Sequence, residues 1–293
     1  MIIWIASYPK SGNTWLRSLL SAYLYSSDGN FDFTLLKKIL KFPSKKYLEY
    51  FTNDFSDIKK VSDYWIAAQE RINLYNENKS ILLKTHSALC TLENNSFTNR
   101  TNTQAVIYIV RDPRNVITSI SNHFSHNIEE SYNFLTDNNK IITSDKWGGK
   151  DFGISEVIGS WSEHYKSWKN VKFAPIIIIK YEDLISNTNG TFTKILNFLK
   201  KFTDVEINNN KISKTVESCN FENLRKMEID KGFDEAAYSE KLEGKVKFFH
   251  LGEKNNWEKL LNPKIEKKIR TVFNNEMKEL NYLEREKGIE PST

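Results

Sequence analysis

The chain opens with Ile2-Ile3-Trp4-Ile5-Ala6-Ser7-Tyr8-Pro9-Lys10-Ser11-Gly12-Asn13-Thr14-Trp15-Leu16-Arg17, three kinds of local structure in one run. Residues 2–6 are apolar and rich in β-branched side chains, and they stop at a segment containing Pro9 and Gly12, which reads as a buried strand. From Asn13 onward Trp15, Leu16, Leu19, Leu20, Tyr23 and Leu24 recur at helical spacing, with Asn13 or Thr14 able to cap. Strand, glycine-containing loop and helix follow one another. At such a junction free backbone N–H groups and the helix dipole make an anion site. Gly12 lets the backbone approach a phosphate, Lys10 supplies a point charge, and Ser11, Asn13 and Thr14 add neutral donors. The alternative is a turn that holds Gly and Lys for structural reasons alone, but that does not account for so many donors together.

The same grammar returns along the chain. Residues 80–84 form a second apolar run, and residues 105–110 a strand that leads into Arg111-Asp112-Pro113. Residues 175–180 contain four consecutive isoleucines. Pro113 fits the first turn of a helix running to about Phe124. Strands that are apolar throughout indicate a parallel sheet covered by helices on both faces. Further helices are expected near 61–77, 153–170, 188–201, 207–216, 219–227 and 262–281, and the Asn-rich segments 91–103 and 125–150 read as loops. No internal repeat or composition break divides the chain. The expectation is one α/β domain over 1–283 with long insertions, its ligands at the carboxyl ends of the strands. The tail 284–293 is expected to be frayed and without function, and 287–293 reads like the translated complement of a transfer-RNA T-arm.

A chain of 293 residues can bury enough surface to fold without a disulfide or structural metal. Its 39% hydrophobic and 27% charged residues exclude the disordered and membrane classes. The net charge of +5 suits a small anionic substrate and is too evenly spread for nucleic acid. Cys90 and Cys219 stand far apart, which excludes a disulfide scaffold and a Cys-based zinc site. The opening apolar run is too short for a secretory signal or a membrane span, so a cytoplasmic location is expected.

Two further motifs carry chemistry. Lys84-Thr85-His86 follows the second apolar run, and an imidazole at a strand end can take a proton from a hydroxyl. A hydrogen-bonded structural histidine is the alternative, and His123, on the helix after the third strand, is the rival base. Arg111 leaves a strand end, and Ser119 lies eight residues on, a little over two helical turns away. A guanidinium can hold a phosphate bidentately and the serine hydroxyl adds a bond. A helix-capping Arg-Asp pair is the structural reading of the same residues. Arg114 is expected to face solvent. The first loop is not a Walker A loop, because Lys10 precedes its only glycine.

Taken in chain order, these motifs resemble those of sulfotransferases that use 3′-phosphoadenosine-5′-phosphosulfate (PAPS), and most of all bacterial cytoplasmic ones. The resemblance covers residues 1 to about 282. It implies a single P-loop-like α/β domain and transfer of a sulfuryl group from PAPS to a hydroxyl or amine of a small-molecule or glycan acceptor, with no metal. It makes Lys10, Ser11, Gly12, Asn13 and Thr14 the phosphosulfate loop. Lys10 would stabilise the bridging and leaving oxygens, Lys84 would hold the sulfuryl oxygens, and His86 would be the general base. Arg111 and Ser119 would hold the 3′-phosphate, while Trp15, Phe221 and Tyr181 (in Tyr181-Glu182-Asp183-Leu184) would contact adenine. Residues 248–257 resemble the family segment Arg-Lys-Gly-x-x-Gly-x-Trp. Gly252 and Trp257 keep their places, but His250 and Leu251 stand where two basic residues are expected, and Asn255 replaces the second glycine. Lys247 or Lys254 is a candidate for the missing charge. Loops 27–60, 87–104, 125–152 and 228–247 are expected to line the acceptor pocket. Two other classes stay open: a non-catalytic 3′-phosphoadenosine nucleotide-binding protein, since this last segment is altered, and a P-loop small-molecule kinase, which lacks its Lys-Ser/Thr order here.

Overall fold

Residues Ile2–Ser7 (β1) are buried along their whole length. Ile2, Trp4 and Ala6 enter one core with Trp65, Phe97 and Trp168, whereas Ile3 and Ile5 enter another with Leu16, Leu19, Leu20, Phe192 and Leu196. A strand that feeds two cores must lie inside a sheet covered on both faces, which is why its sequence shows no period-two alternation. The computed structural model describes residues 1–77, 79–144, 151–239 and 243–283, so the expected tail 284–293 lies outside the described residues.

β1 is the middle strand of a five-stranded sheet. The others are Leu40–Lys41 (β2), Ile81–Thr85 (β3), Thr103–Val110 (β4) and Ile176–Lys180 (β5), and the order across the sheet is β2-β3-β1-β4-β5. All pairings are parallel. The register sets Ala6 level with Thr85 and Tyr108, and Val110 level with Lys180. The carboxyl ends of β1, β3, β4 and β5 therefore finish side by side, and the segments that follow them share one edge.

Helix Asn13–Tyr25 (α1) starts from Gly12, whose φ of 99° is left-handed, and no side chain caps it. Asn13 and Thr14 are its first residues and not its cap. Helix Pro113–Phe124 (α2) begins at proline as expected, with the Asp112 carboxylate accepting from Arg114 N–H.

Several loop and helix expectations are corrected. Segment 125–150 holds a helix, Ile128–Thr136, opened by a capping box between Asn127 and Glu130. Polar capping residues mark a helix start as readily as a loop, so composition misread it. The same segment supplies a strand, Ile141–Thr143, that pairs antiparallel with Ser155–Val157. The stretch 153–170 thus begins extended and turns helical only at Trp161–Lys169. A small hairpin, Thr91–Leu92 with Asn95–Ser96, occupies part of 91–103. The expected helices 61–77 and 262–281 are each split, the second into Pro263–Val272 and Asn274–Glu279.

Candidate active site

The loop after β1 makes its turn with positive φ at Lys10 (65°) and Gly12 (99°). The Tyr181 ring lies where a Cβ on residue 12 would have to go, so glycine is required there for space as well as for backbone shape. The Arg111 guanidinium stacks over the same ring at 4.2 Å, and its Nη1 donates to the Lys10 carbonyl at 3.2 Å. Trp15 meets Tyr181 edge-on at 5.7 Å and donates its indole N–H to the Cys219 carbonyl at 2.9 Å. Phe221 is also partly buried against this core. Of the three aromatic side chains expected at adenine, Trp15 and Tyr181 thus meet at the loop and the start of α1, whereas Phe221 packs against Gly252 and Phe249.

The cations are crowded. Burial, followed by Arg111 and with Lys84 adding, lowers the Lys10 ammonium to about 7, against the pull of Glu235 and Glu228. Lys84 is lowered by burial too, although Glu235 pulls it back. The Lys10 ammonium stands 3.9 Å from the Phe248 ring centroid. Ser11 Oγ and Arg111 Nε are buried without a hydrogen-bond partner among the described residues. Unpaired donors, crowded cations and the uncapped start of α1 fit an anion with several oxygens. Two loop residues are otherwise engaged. Asn13 Nδ2 donates inward to the Ile5 carbonyl and to Ser7 Oγ, both at 3.1 Å. Thr14 Oγ1 donates to Glu235 at 3.0 Å.

His86 Nδ1 lies 2.9 Å from the Ser7 carbonyl and 3.2 Å from Ser7 Oγ. A carbonyl oxygen can only accept, so Nδ1 carries the proton and Nε2 keeps its lone pair. Nε2 has no hydrogen-bond partner among the described residues. Burial, then Lys84, lowers the imidazole to about 3, while Glu156 acts in the opposite sense. His86 is therefore neutral at physiological pH, the form a base needs. Its carbonyl accepts from His164 Nε2 at 3.0 Å, and His164 Nδ1 in turn takes the Tyr108 hydroxyl at 2.8 Å. The rival, His123, stacks edge-on against Phe248 at 5.9 Å. Burial, with Lys10 and Lys84, lowers it to about 2, and no hydrogen bond among the described residues orients its ring.

The segment 248–257 is tied to α2 by the residue that replaces a glycine. Asn255 Oδ1 accepts from Thr118 Oγ1 at 2.6 Å, and its Nδ2 donates to the Asn115 carbonyl at 2.9 Å. Trp257 N–H donates to Asn115 Oδ1 at 2.9 Å. Gly252, at φ 54°, has the Phe221 ring where a Cβ would sit. Arg111, Asn115, Tyr181, Gly252, Asn255 and Trp257 enclose much of a cavity of about 310 Å³. Ser119 is half-buried on α2, with no hydrogen-bond partner among the described residues. His250, Lys247 and Lys254 are exposed, and none of them lines this cavity.

Arg114 does not face solvent. It is buried, grips the Asp112 carboxylate through Nε and Nη2, donates to the Tyr282 carbonyl at 2.7 Å and lies 3.9 Å over Trp257. Trp257, Glu266 and Tyr282 cover the start of α2 and bury Arg114 there. Other charged residues escaped the sequence reading altogether. Glu235 binds Thr14 and Arg17 and stands 3.8 Å from Lys84. Glu156 bridges His86 N–H and Lys41. Arg17 alone left a trace, as a charge inside the apolar stripe of α1. Among the described residues no group of three or more His, Cys, Asp or Glu could hold a metal ion.

An α/β fold with a cationic, glycine-containing loop after its central strand and a neutral imidazole after the neighbouring strand has the form of a site for an anionic nucleotide. The sulfotransferase domain matches residues 2–281, and the chain belongs to that family. It is similar to cytosolic sulfotransferase 16 of Arabidopsis thaliana, 24% identical over 286 residues that span 96% of this chain and 77% of the relative. The flavonol 3-sulfotransferase of Flaveria bidentis is 24% identical over 276 residues, 91% of this chain and 78% of the relative. In fold, a mouse sulfotransferase complexed with PAP matches at a TM-score of 0.56 and 19% identity, over 96% of this chain and 84% of that one. A retinol dehydratase complexed with androsterone and PAP matches at 0.55 and 14% identity, over 94% and 80%. The P-loop-like α/β architecture expected from the motifs is the one these structures share. No helix among the described residues is long and apolar enough to cross a membrane.

Proposed function

We propose that residues 1–283 act as one cytoplasmic catalytic unit that moves a sulfuryl group from PAPS to a hydroxyl of a small acceptor with an aromatic body. The observation that carries the reading is the hydrogen bond from His86 Nδ1 to the Ser7 carbonyl, which leaves Nε2 as the proton acceptor. Support for the donor comes from the fold relatives, whose structures hold PAP. It comes also from the cationic group of Lys10, Lys84 and Arg111. Arg111 and Ser119 would hold the 3′-phosphate beside the cavity closed by Gly252. Trp15, Tyr181 and Phe221 would flank the base. Lys10 would lie against the phosphosulfate bridge, where a fixed charge stabilises the leaving oxygen. PAPS itself supplies the activated sulfuryl group.

The acceptor reading rests on the aromatic wall beside Lys10. Phe248 contacts both Lys10 and His123 and is 4.9 Å from Phe233, which is 4.7 Å from Phe33. Phe33 and Phe233 belong to two of the segments expected to line the acceptor pocket. Rings prefer planar apolar partners, and relatives of this chain are named for flavonol and hydroxysteroid acceptors.

The test is turnover of labelled PAPS with a panel of phenols and hydroxysteroids, alongside equilibrium binding of PAP. In His86→Gln the rate should fall about 10²-fold or more, with PAP affinity unchanged. Collapse of nucleotide binding in that variant would make His86 a structural residue. PAP binding without turnover by the wild type would select the non-catalytic reading, and preference for ATP with Mg²⁺ the kinase one.

A further inference from the structure

We infer that Glu156 is the positioning residue and counter-charge of His86: its carboxylate fixes the His86 main chain and stabilises the imidazolium that forms as the acceptor proton arrives. The inference rests on His86 being the base.

Glu156 sits on the strand Ser155–Val157, opposite Ile142 of its partner strand. The pair is fastened to the segment beyond β3 by a bond from Ala88 N–H to the Val157 carbonyl at 2.8 Å. Only 5% of Glu156 is exposed, and both its oxygens are used. One accepts the His86 backbone N–H at 2.9 Å, and the other meets the Lys41 ammonium at 3.0 Å. A carboxylate taken out of water is costly unless it is paired and hydrogen-bonded, and here both conditions hold. Burial works against its ionisation, yet Lys41, His86 and Lys84 keep it ionised below the usual carboxylate range.

The surroundings of His86 show why a charge is wanted there. Lys84 acts on it from β3, the strand just before it, and Lys41 from β2. His123 interacts with it from α2, and His164 Nε2 meets its carbonyl from the helix Trp161–Lys169. Of these, Lys84 and Lys41 oppose a positive imidazole, whereas Glu156 favours it. In the transfer step the acceptor O–H bond breaks and its proton goes to His86 Nε2. The acceptor oxygen bonds to sulfur as the bond from sulfur to the 5′-phosphate oxygen breaks, and that oxygen leaves with the electron pair. The ring thus gains a full charge beside two lysines, and Glu156 is the carboxylate bonded to the same residue.

The experiment uses the full chain and the variant Glu156→Gln, which keeps the shape and an oxygen for the His86 N–H but removes the charge. PAP affinity should stay within about two-fold of wild type. Transfer to phenol, whose pKa is about 10, should fall by about 10- to 100-fold. Transfer to 4-nitrophenolate, which arrives already ionised and needs no base, should be nearly unchanged. Hydrolysis of PAPS, with water as acceptor, should fall with the phenol rate. Glu156→Asp should restore part of the loss, and in a His86→Gln background Glu156→Gln should cost nothing more. Equal losses for phenol and 4-nitrophenolate, or a further loss in the His86→Gln background, would reduce Glu156 to scaffold. No loss at all would remove it from the mechanism. A wild-type protein that turns over PAPS with neither phenol nor water would refute the transfer reading itself, and a His86→Gln variant that transfers to phenol as fast as wild type would refute the base.

Discussion

Donor binding should take up a proton, and Lys10 is the group that receives it. The protein surroundings, burial first and then Arg111, hold its ammonium at about 7. A bisphosphate nucleotide laid against it adds negative charge and returns the pKa towards the ordinary lysine value of about 10.4. The pKa is therefore higher in the complex than in the protein alone. The favourable contribution is complete below about pH 7 and is lost as the pH rises beyond that. With these two values affinity for PAP should drop by about one order of magnitude per pH unit above 7, or about 1.4 kcal/mol for each unit. Calorimetry between pH 7 and 9, in buffers of different ionisation enthalpy, measures the proton number directly. This window lies above the titration of the nucleotide phosphates, near 6, and above the lowered histidines. Lys10→Met should abolish most of the uptake. Lys84→Met should leave it in place, since Lys84 lies nearer to Glu235, which supports its charge. A flat profile in the wild type, or uptake that survives intact in Lys10→Met, would falsify the assignment of Lys10 to the anion site.

Arg111→Ala should weaken PAP by about 2–3 kcal/mol, the scale of a pair of charge-assisted bonds, and leave AMP almost untouched. Equal losses in calorimetry for both nucleotides would place Arg111 away from the 3′-phosphate. Arg114→Ala strands the buried Asp112 carboxylate and frees Trp257 and Tyr282. It should lower unfolding free energy by about 3–5 kcal/mol in denaturant titration, and a loss under about 1 kcal/mol would contradict the packing described. Though His250 is exposed, partial loss of surrounding water, then Lys247 and Arg225, lower its pKa, so it is neutral through the range where Lys10 titrates. His250→Gln should match the wild-type PAP profile above pH 7, and a lost slope in that variant would move His250 onto the phosphate.

Residues 2–25 announce their structure because everything they need is local. An unbroken apolar run, a glycine at a left-handed position and leucines at helical spacing each act within a few residues. The same holds for Lys84-Thr85-His86 and Arg111-Asp112-Pro113, which are placed at strand ends by the apolar runs before them. Parallel pairing then brings those ends level, so motifs separated along the chain meet at one edge of the sheet. Glu156, Glu235, Lys41 and Arg114 could not be read this way. A glutamate in a polar stretch looks the same whether it is solvated or buried against a lysine from another strand. Its role is decided by which distant charge the fold sets opposite it, as with Glu156 between His86 and Lys41. Asn255 looks like an eroded glycine in the sequence, yet the fold makes it the tether between the last loop and α2. Local propensity and hydrophobic pattern place the loop 8–12 and His86 at strand ends. The electrostatics that tune them come from long-range contacts, because Coulomb energy depends on separation in space and on burial, neither of which is set by neighbours along the chain.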